Sequence, residues 1–249
     1  TFAAGDSHSM PDYALQTMKM DVEQLSVVLA LIGGPEQANV QWWTGANGKS
    51  VYGYCENIGD GRGVTVGLAG FTSDDGELKG VFKAFGESMK RAGNPKECRD
   101  NSSKCQLCDW VEAHGDDPGW IDAQWRVYHD NYMKPAMKYT PKQFRDNALI
   151  KGLVLDTAMN SGVGDEGNAW GVDHMARAAS GSTPLEWVNS FCDIRRAHFA
   201  AKNDDSGMNG RLKTWRTLAA DGKWDLRGVN PCQYAFCYGK GLGDGCRGC

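Results

Sequence analysis

Between Tyr52 and Thr65 the chain runs Tyr-Gly-Tyr-Cys-Glu-Asn-Ile-Gly-Asp-Gly-Arg-Gly-Val-Thr. Glycines at Gly59, Gly61 and Gly63 let the backbone bend tightly and leave the side chains between them uncrowded. An alternating aromatic run leads in and a Val-Thr-Val run leads away, so residues 51–68 predict a small strand–turn–strand unit. The turn presents Asp60 and Arg62 to whatever lies above it. Strand alternation puts Tyr52, Tyr54 and Glu56 on one face and Cys55 on the other.

The rest of the chain reads as helix. Leu15, Met18, Val22, Leu25, Leu29 and Ile32 alternate steps of three and four, the stripe of one amphipathic helix. Gly33-Gly34-Pro35 should end it, leaving Glu36 on the connector. Residues 41–50 read as a polar loop exposing Trp42 and Trp43. Helices are expected over 76–89, around Ile121 to Met133, from Thr140-Pro141 to about Asn160, and over 211–220. Thr183-Pro184-Leu185-Glu186 is a capping box opening a helix that reaches about Ala201. Residues 93–118 read as a long loop tied by disulfides, separating a minor lobe from a major helical one. The expected architecture is mainly α with a small β-sheet, one domain over 1–249 in two lobes with a cleft lined by the glycine turn. Its appendages are the loop 93–118 and a Cys-rich tail, 230–249.

Composition narrows the function. A hydrophobic content of 41% suits a packed core, and the apolar run from Val27 to Ile32 is too short to span a bilayer. A net charge of -4 without a basic stripe argues against nucleic acid and suits a neutral or cationic ligand. Nine cysteines point to an oxidising compartment and disulfides. Zinc is the alternative, since Cys-x-x-Cys occurs at Cys105/Cys108 and Cys246/Cys249. An odd count leaves one thiol over, for which Cys55 is the candidate. The start Thr-Phe-Ala-Ala suggests a processed, secreted chain. The five histidines show no ligand spacing, and the sequence calls for no metal and no cofactor.

Cleaving a glycosidic bond requires an acid to protonate the leaving oxygen and a base or nucleophile on the other face of the sugar. Glu36 and Asp60 lie on two elements that could face each other, with Glu56 as a third acid and Thr65 able to hold a water. The bland readings are solvated acids, a turn aspartate and an Arg62 that pairs with Asp60 or Glu56. Tyr52 and Tyr54 suit sugar stacking and core packing equally. Asp156, inside the apolar run Leu153 to Met159, must be buried and paired. Asp193, Arg195 and Arg211 are its candidate partners in an Asp–Arg network.

Tyr52 to Thr65, continued by Gly67 to Phe71, resembles the chitosanases of glycoside hydrolase families 46 and 80. Looser echoes follow in Asp156 with Asn160-Ser161-Gly162, and in Phe191-Cys192-Asp193-Ile194-Arg195. The extra cysteines and the longer stretch between Glu36 and Tyr52 look more like family 80. The resemblance implies a two-lobed lysozyme-like fold and endo-hydrolysis of β-1,4-linked glucosamine polymer, with inversion, by a secreted monomer. By position it implies Glu36 as the acid and Asp60 as the base, assisted by Thr65, with Glu56 the rival base. Arg62, Tyr54 and Glu77 are implied to bind substrate, and Asp156, Arg195 and Arg211 to support the site. An inverting enzyme holds its two carboxyl groups about 6.5–9.5 Å apart, and Glu36 should be the protonated one, in an enclosed position. The alternatives are a lysozyme-like hydrolase of peptidoglycan or chitin and a non-catalytic glycan-binding protein.

Overall fold

A computed structural model describes residues 10–37, 39–44, 50–164, 171–201, 208–237, 241–242 and 246. The chain forms two compact units, one comprising residues up to Gln41 and from Asn131 onward, the other Trp42–Asp130. The boundaries therefore fall on either side of the disulfide-rich stretch 93–118. That stretch lies inside the second unit and does not divide the molecule.

The N-terminal stripe is two helices, α1 (Asp12–Met18) and α2 (Val22–Gln37). Lys19 turns left-handed, with φ 47°, and ends α1. Asp21 then restarts the helix by a reciprocal cap. Its Oδ1 accepts from the Gln24 N–H at 2.9 Å, and the Gln24 Oε1 accepts from the Asp21 N–H at 3.1 Å. Gly33-Gly34-Pro35 does not stop α2, which carries Pro35 inside it and Glu36 in its last turn. Every residue from Val27 to Ile32 is buried, so α2 is a core helix and not an amphipathic one.

In the second unit, Val51–Gly53 is a 3₁₀ turn, followed by β1 (Cys55–Glu56), β2 (Thr65–Val66) and β3 (Phe71–Thr72) in antiparallel order. The register sets Glu56 opposite Thr65 and Cys55 opposite Val66. Helices α3 (Glu77–Phe85), α4 (Met89–Ala92), α5 (Gln106–Ala113) and α6 (Pro118–Tyr128) complete this unit. Helix α5 occupies what the sequence read as loop. Tyr52 sits in the 3₁₀ turn and not on the strand, so it does not share a face with Tyr54 and Glu56. Its carbonyl accepts from Trp120 Nε1 and Gln124 Nε2, both at 2.9 Å, and its hydroxyl accepts from Trp125 Nε1 at 2.8 Å. Trp42 is buried as well, edge-on to Trp125, and is not exposed.

The π-helical turn His129–Met133 leads back to the first unit and to α7 (Lys134–Tyr139). Thr140-Pro141 opens only a 3₁₀ turn, Lys142–Phe144. Helix α8 (Ala148–Ser161) starts later, capped by Asn147, whose Oδ1 accepts from the Ile150 N–H at 3.0 Å. Then come α9 (Val172–Ala178), α10 (Pro184–Ala201) and α11 (Met208–Ala220). The capping box forms as read, with Glu186 Oε2 accepting from the Thr183 N–H at 3.1 Å and Thr183 Oγ1 accepting from the Glu186 N–H at 3.3 Å. Residues 148–158 of α8 are buried all round, placing this helix at the centre of the unit. Pro231–Tyr234 (α12), Phe236–Cys237 (β4) and Gly241–Leu242 (β5) follow.

Cysteine pairing is Cys55–Cys108, Cys98–Cys105 and Cys237–Cys246, and Cys232 is also disulfide-bonded. Cys55 is therefore no free thiol; among the described residues the free one is Cys192, buried in α10. Burial pushes the Cys192 thiol up to about 12, its basic neighbours Arg216 and Arg195 notwithstanding. Cys98, Cys105 and Cys108 lie close enough to hold a metal, but all three sulfurs are committed to disulfides. His8 and, in the tail, residues 238–240, 243–245 and 247–249, Cys249 among them, lie outside the described residues. No described helix is long and apolar enough to cross a membrane.

Candidate active site

In the first unit the candidate acid is tied to the core by a chain of charges. The Glu36 Oε1 accepts from Arg211 Nη2 at 2.5 Å, and Arg211 Nη1 donates to Asp156 Oδ1 at 3.1 Å. The other Asp156 oxygen accepts from Arg195 Nη1 at 2.6 Å and from Trp215 Nε1 at 3.1 Å. Arg195 Nη2 donates onward to Asn160 Oδ1 at 3.1 Å. Asp156 and Arg195 are fully buried, while the Glu36 side chain is 38% exposed. Burial lowers the Arg195 guanidinium below its ordinary value, Asp156 pulling it back up. A buried carboxylate satisfied on both oxygens by charged donors is a rigid anchor. Arg211 transmits that rigidity to Glu36, which is solvent-facing rather than enclosed as its expected role suggested.

Asp193 does not join this network. It is exposed and pairs with Arg216 at 2.5 Å and Arg196 at 3.2 Å. Trp215 escaped the sequence reading, and Asn160 entered it only beside Asp156 and without its bond to Arg195, though both carry a signal. Each lies four residues, one helical turn, beyond a charged member of the network, Arg211 and Asp156 respectively.

In the second unit the glycine turn behaves as the sequence implied. Gly59, Gly61 and Gly63 have φ of 74°, 82° and 78°, values that L side chains avoid. A Cβ at Gly63 would overlap Ser73 Oγ, whereas one at Gly61 would meet only open space. Asp60 and Arg62 pair with each other. Arg62 Nε donates to Asp60 Oδ2 at 2.8 Å, Nη2 lies 2.7 Å from that oxygen, and the Arg62 N–H donates to Oδ1 at 3.0 Å. Partial burial pulls the Asp60 carboxyl up, but the backbone N–H, side chain and charge of Arg62 together hold it below its ordinary value.

Glu56 has a different partner, the Tyr54 hydroxyl, which donates to its Oε2 at 3.1 Å. Burial raises the Tyr54 phenol, and the neighbouring Glu56 raises it further. Thr65, opposite Glu56 in the sheet, is buried, and its hydroxyl finds no hydrogen-bond partner among the described residues. A buried hydroxyl without a partner costs free energy unless a water or ligand meets it. Glu77 occupies the first turn of α3.

The disulfide-tied segment braces the turn from outside, a support absent from the sequence reading. Asn57 and Ser102 exchange backbone hydrogen bonds of 2.9 and 3.2 Å, and Asn57 Nδ2 donates to the Cys98 carbonyl at 3.0 Å. Asn57 Oδ1 also accepts from the Gly59 N–H at 3.0 Å.

The described residues are mainly helical, with a three-stranded antiparallel sheet and acids paired with arginines. The fold is similar to that of a mutant chitosanase from Bacillus subtilis MY002 complexed with 6 GlcN (22% identity, TM-score 0.66, 85% of this chain and 94% of that one). It is likewise similar to a Gynuella sunshinyii GH46 chitosanase in complex with chitotetraose (23% identity, TM-score 0.64, 84% and 93%). Among curated relatives, a chitosanase of Niallia circulans is 29% identical over 85% of this chain and 75% of its own. One of Bacillus subtilis strain 168 is 24% identical over 71% and 73%. The model of glycosyl hydrolase family 46 matches residues 31–96 and 100–229, and the chain belongs to that family. It is thus a glycoside hydrolase, and its extra cysteines do not make it a family 80 member. Every candidate site residue falls within the matched segments.

Proposed function

We propose that the chain is an endo-chitosanase, cleaving β-1,4 linkages between glucosamine units with inversion. The observation that carries this reading is the Glu36–Arg211–Asp156 chain, which fixes one solvent-facing acid on a buried anchor within a family 46 sequence. The relatives matched over most of the chain are chitosanases, which supplies the substrate class.

Glu36 donates its proton to the glycosidic oxygen as the bond to the anomeric carbon breaks. Asp60, kept ionised by Arg62, takes a proton from a water that attacks that carbon from the opposite face. Thr65 offers that water a buried hydroxyl as donor or acceptor. Inversion follows because the water enters opposite the leaving group, giving an α-anomeric product. Glu56 and Glu77 are carboxylates suited to the ammonium groups of a polycationic substrate. Arg62 and Tyr54 are assigned to substrate binding through the carboxylates they hold, and Arg195 and Arg211 to support of Glu36. The disulfides fit a secreted protein working in an oxidising medium. It acts as a single catalytic domain and a monomer.

Proton NMR of the products from fully deacetylated chitosan tests this. Early α-anomer is the expected result, and early β-anomer overturns the inverting mechanism. Cleavage of fully acetylated polymer instead would mean a chitin or peptidoglycan hydrolase, and binding without cleavage a lectin-like role. Glu36→Gln should abolish turnover with folding intact; more than about a tenth of wild-type activity would remove Glu36 as the acid.

A further inference from the structure

The family match stops at residue 229, yet an ordered element lies beyond it. There α12 leads into a two-stranded antiparallel hairpin, Phe236 facing Leu242 in register, closed by Cys237–Cys246. So short a hairpin does not hold its shape alone, and a cystine removes much of its freedom.

This hairpin touches both helices that carry the Glu36–Arg211 pair, each time beside the paired residue. On α2, a Cβ built on Gly34 would come 2.8 Å from the Phe236 carbonyl oxygen and 3.3 Å from Ala235 Cβ. Gly34 lies two residues before Glu36. On α11, a Cβ built on Gly210 would overlap the Phe236 ring. Gly210 is the residue before Arg211. Four residues further along α11, Thr214 Oγ1 donates to the Tyr234 carbonyl at 2.7 Å. One residue, Phe236, therefore meets α2 with its main chain and α11 with its ring. Hydrogen bonds within each helix cannot set the spacing between the two. Asp156 holds Arg211, and Phe236 bridges the two helices.

We infer that the cystine-closed strap, with Phe236 as its contact, is a positioning element that sets the Glu36–Arg211 geometry. The inference rests on the reading of Glu36 as the acid. A displaced acid slows bond cleavage without removing the surface that binds the glycan, so its signature is in kcat and not in KM.

The test is steady-state hydrolysis of a soluble glucosamine oligomer by wild type, Glu36→Gln, Phe236→Ala, Phe236→Leu and the pair Cys237→Ser/Cys246→Ser. Each variant is checked for folding by circular dichroism and thermal melting. Phe236→Ala and the serine pair should lose roughly tenfold in kcat with KM changed less than about twofold. Phe236→Leu, which refills the contact over Gly210, should recover most of the loss. Wild-type kcat in Phe236→Ala with only a lower melting temperature overturns the proposal, as does a loss confined to KM. Should Phe236→Ala not fold, Thr214→Val removes one strap contact with little change of shape. It should lose about threefold in kcat, and an unchanged kcat overturns the proposal. An inactive wild type or an active Glu36→Gln sinks the acid assignment and the strap's catalytic role together. An inactive Glu36→Gln beside a fully active Phe236→Ala sinks the strap alone.

Discussion

Arg62 keeps the Asp60 carboxylate charged further into acid. It clamps Asp60 through two side-chain nitrogens and a backbone N–H, while Glu56 has the Tyr54 hydroxyl instead. Because the Asp60 carboxyl is held below its ordinary value, it remains a base to lower pH than a free aspartate. Arg62→Ala should therefore move the acidic limb of the kcat/KM profile upward in pH; an unmoved limb would mean that another group governs it. Asp60→Asn should cost on the order of 10²–10⁴ in kcat and Glu56→Gln clearly less; the reverse order makes Glu56 the base. Asp156 makes a stability prediction. Removing it leaves the buried Arg195 guanidinium without its carboxylate and Arg211 held by Glu36, so Asp156→Ala should destabilise the fold by about 3–5 kcal/mol, measurable by urea titration. The Asp60–Arg62 turn was legible because glycine spacing dictates it. Strand alternation also put Tyr54 beside Glu56, but it misplaced Tyr52, which a 3₁₀ turn takes out of the strand.

Helix α2 shows what an element-level pattern conceals. Its apolar spacing ran unbroken through α1, and only Asp21-x-x-Gln24, a capping box without Ser or Thr, marks the restart. Gly33-Gly34 looked like a stop signal because glycine commonly ends helices. In the fold Gly34 serves close approach, the strand at Phe236 lying where a side chain would be. Gly34→Ala should cost about 1–3 kcal/mol although alanine favours helix, and a stabilised variant would contradict the contact. At the end of α1, Lys151 is buried and its ammonium donates to the carbonyls of Met18 and Lys19, both at 2.7 Å. Burial pushes its pKa down to about 8, Lys19 adding to the fall while Asp146 and Asp225 oppose it. Between about pH 8 and 10.5 the unfolded chain then binds more protons at this group than the folded one. The group's contribution to stability rises with pH across that window. The melting temperature of wild type minus that of Lys151→Met should grow from pH 8 to pH 10, and a flat difference would refute it.

At the scale of the molecule, helix content, the small sheet and a resemblance to families 46 and 80 were readable from residues 52–65 and the helical spacings, while the extra cysteines pointed to the wrong one of the two. The division of the chain was not readable. A cysteine-rich stretch looks like a divider in sequence, yet the Cys98–Cys105 loop is stitched onto the glycine turn, inside one unit. The first unit is assembled from both ends of the chain: Gln24 on α2 donates to Asp225, 201 residues away. Biosynthesis proceeds from the N-terminus, so α2 leaves the ribosome with its apolar surface long before α8, α11 and the strand at Phe236 exist to cover it. Residues 42–130, by contrast, emerge whole and can close Cys55–Cys108 while the first helix still waits. A nascent chain arrested before residue 208 should be cut by protease within α2 and resist cutting over 42–130. Helix α2, which bears Glu36, is thus made before most of its unit and completed among the last of it.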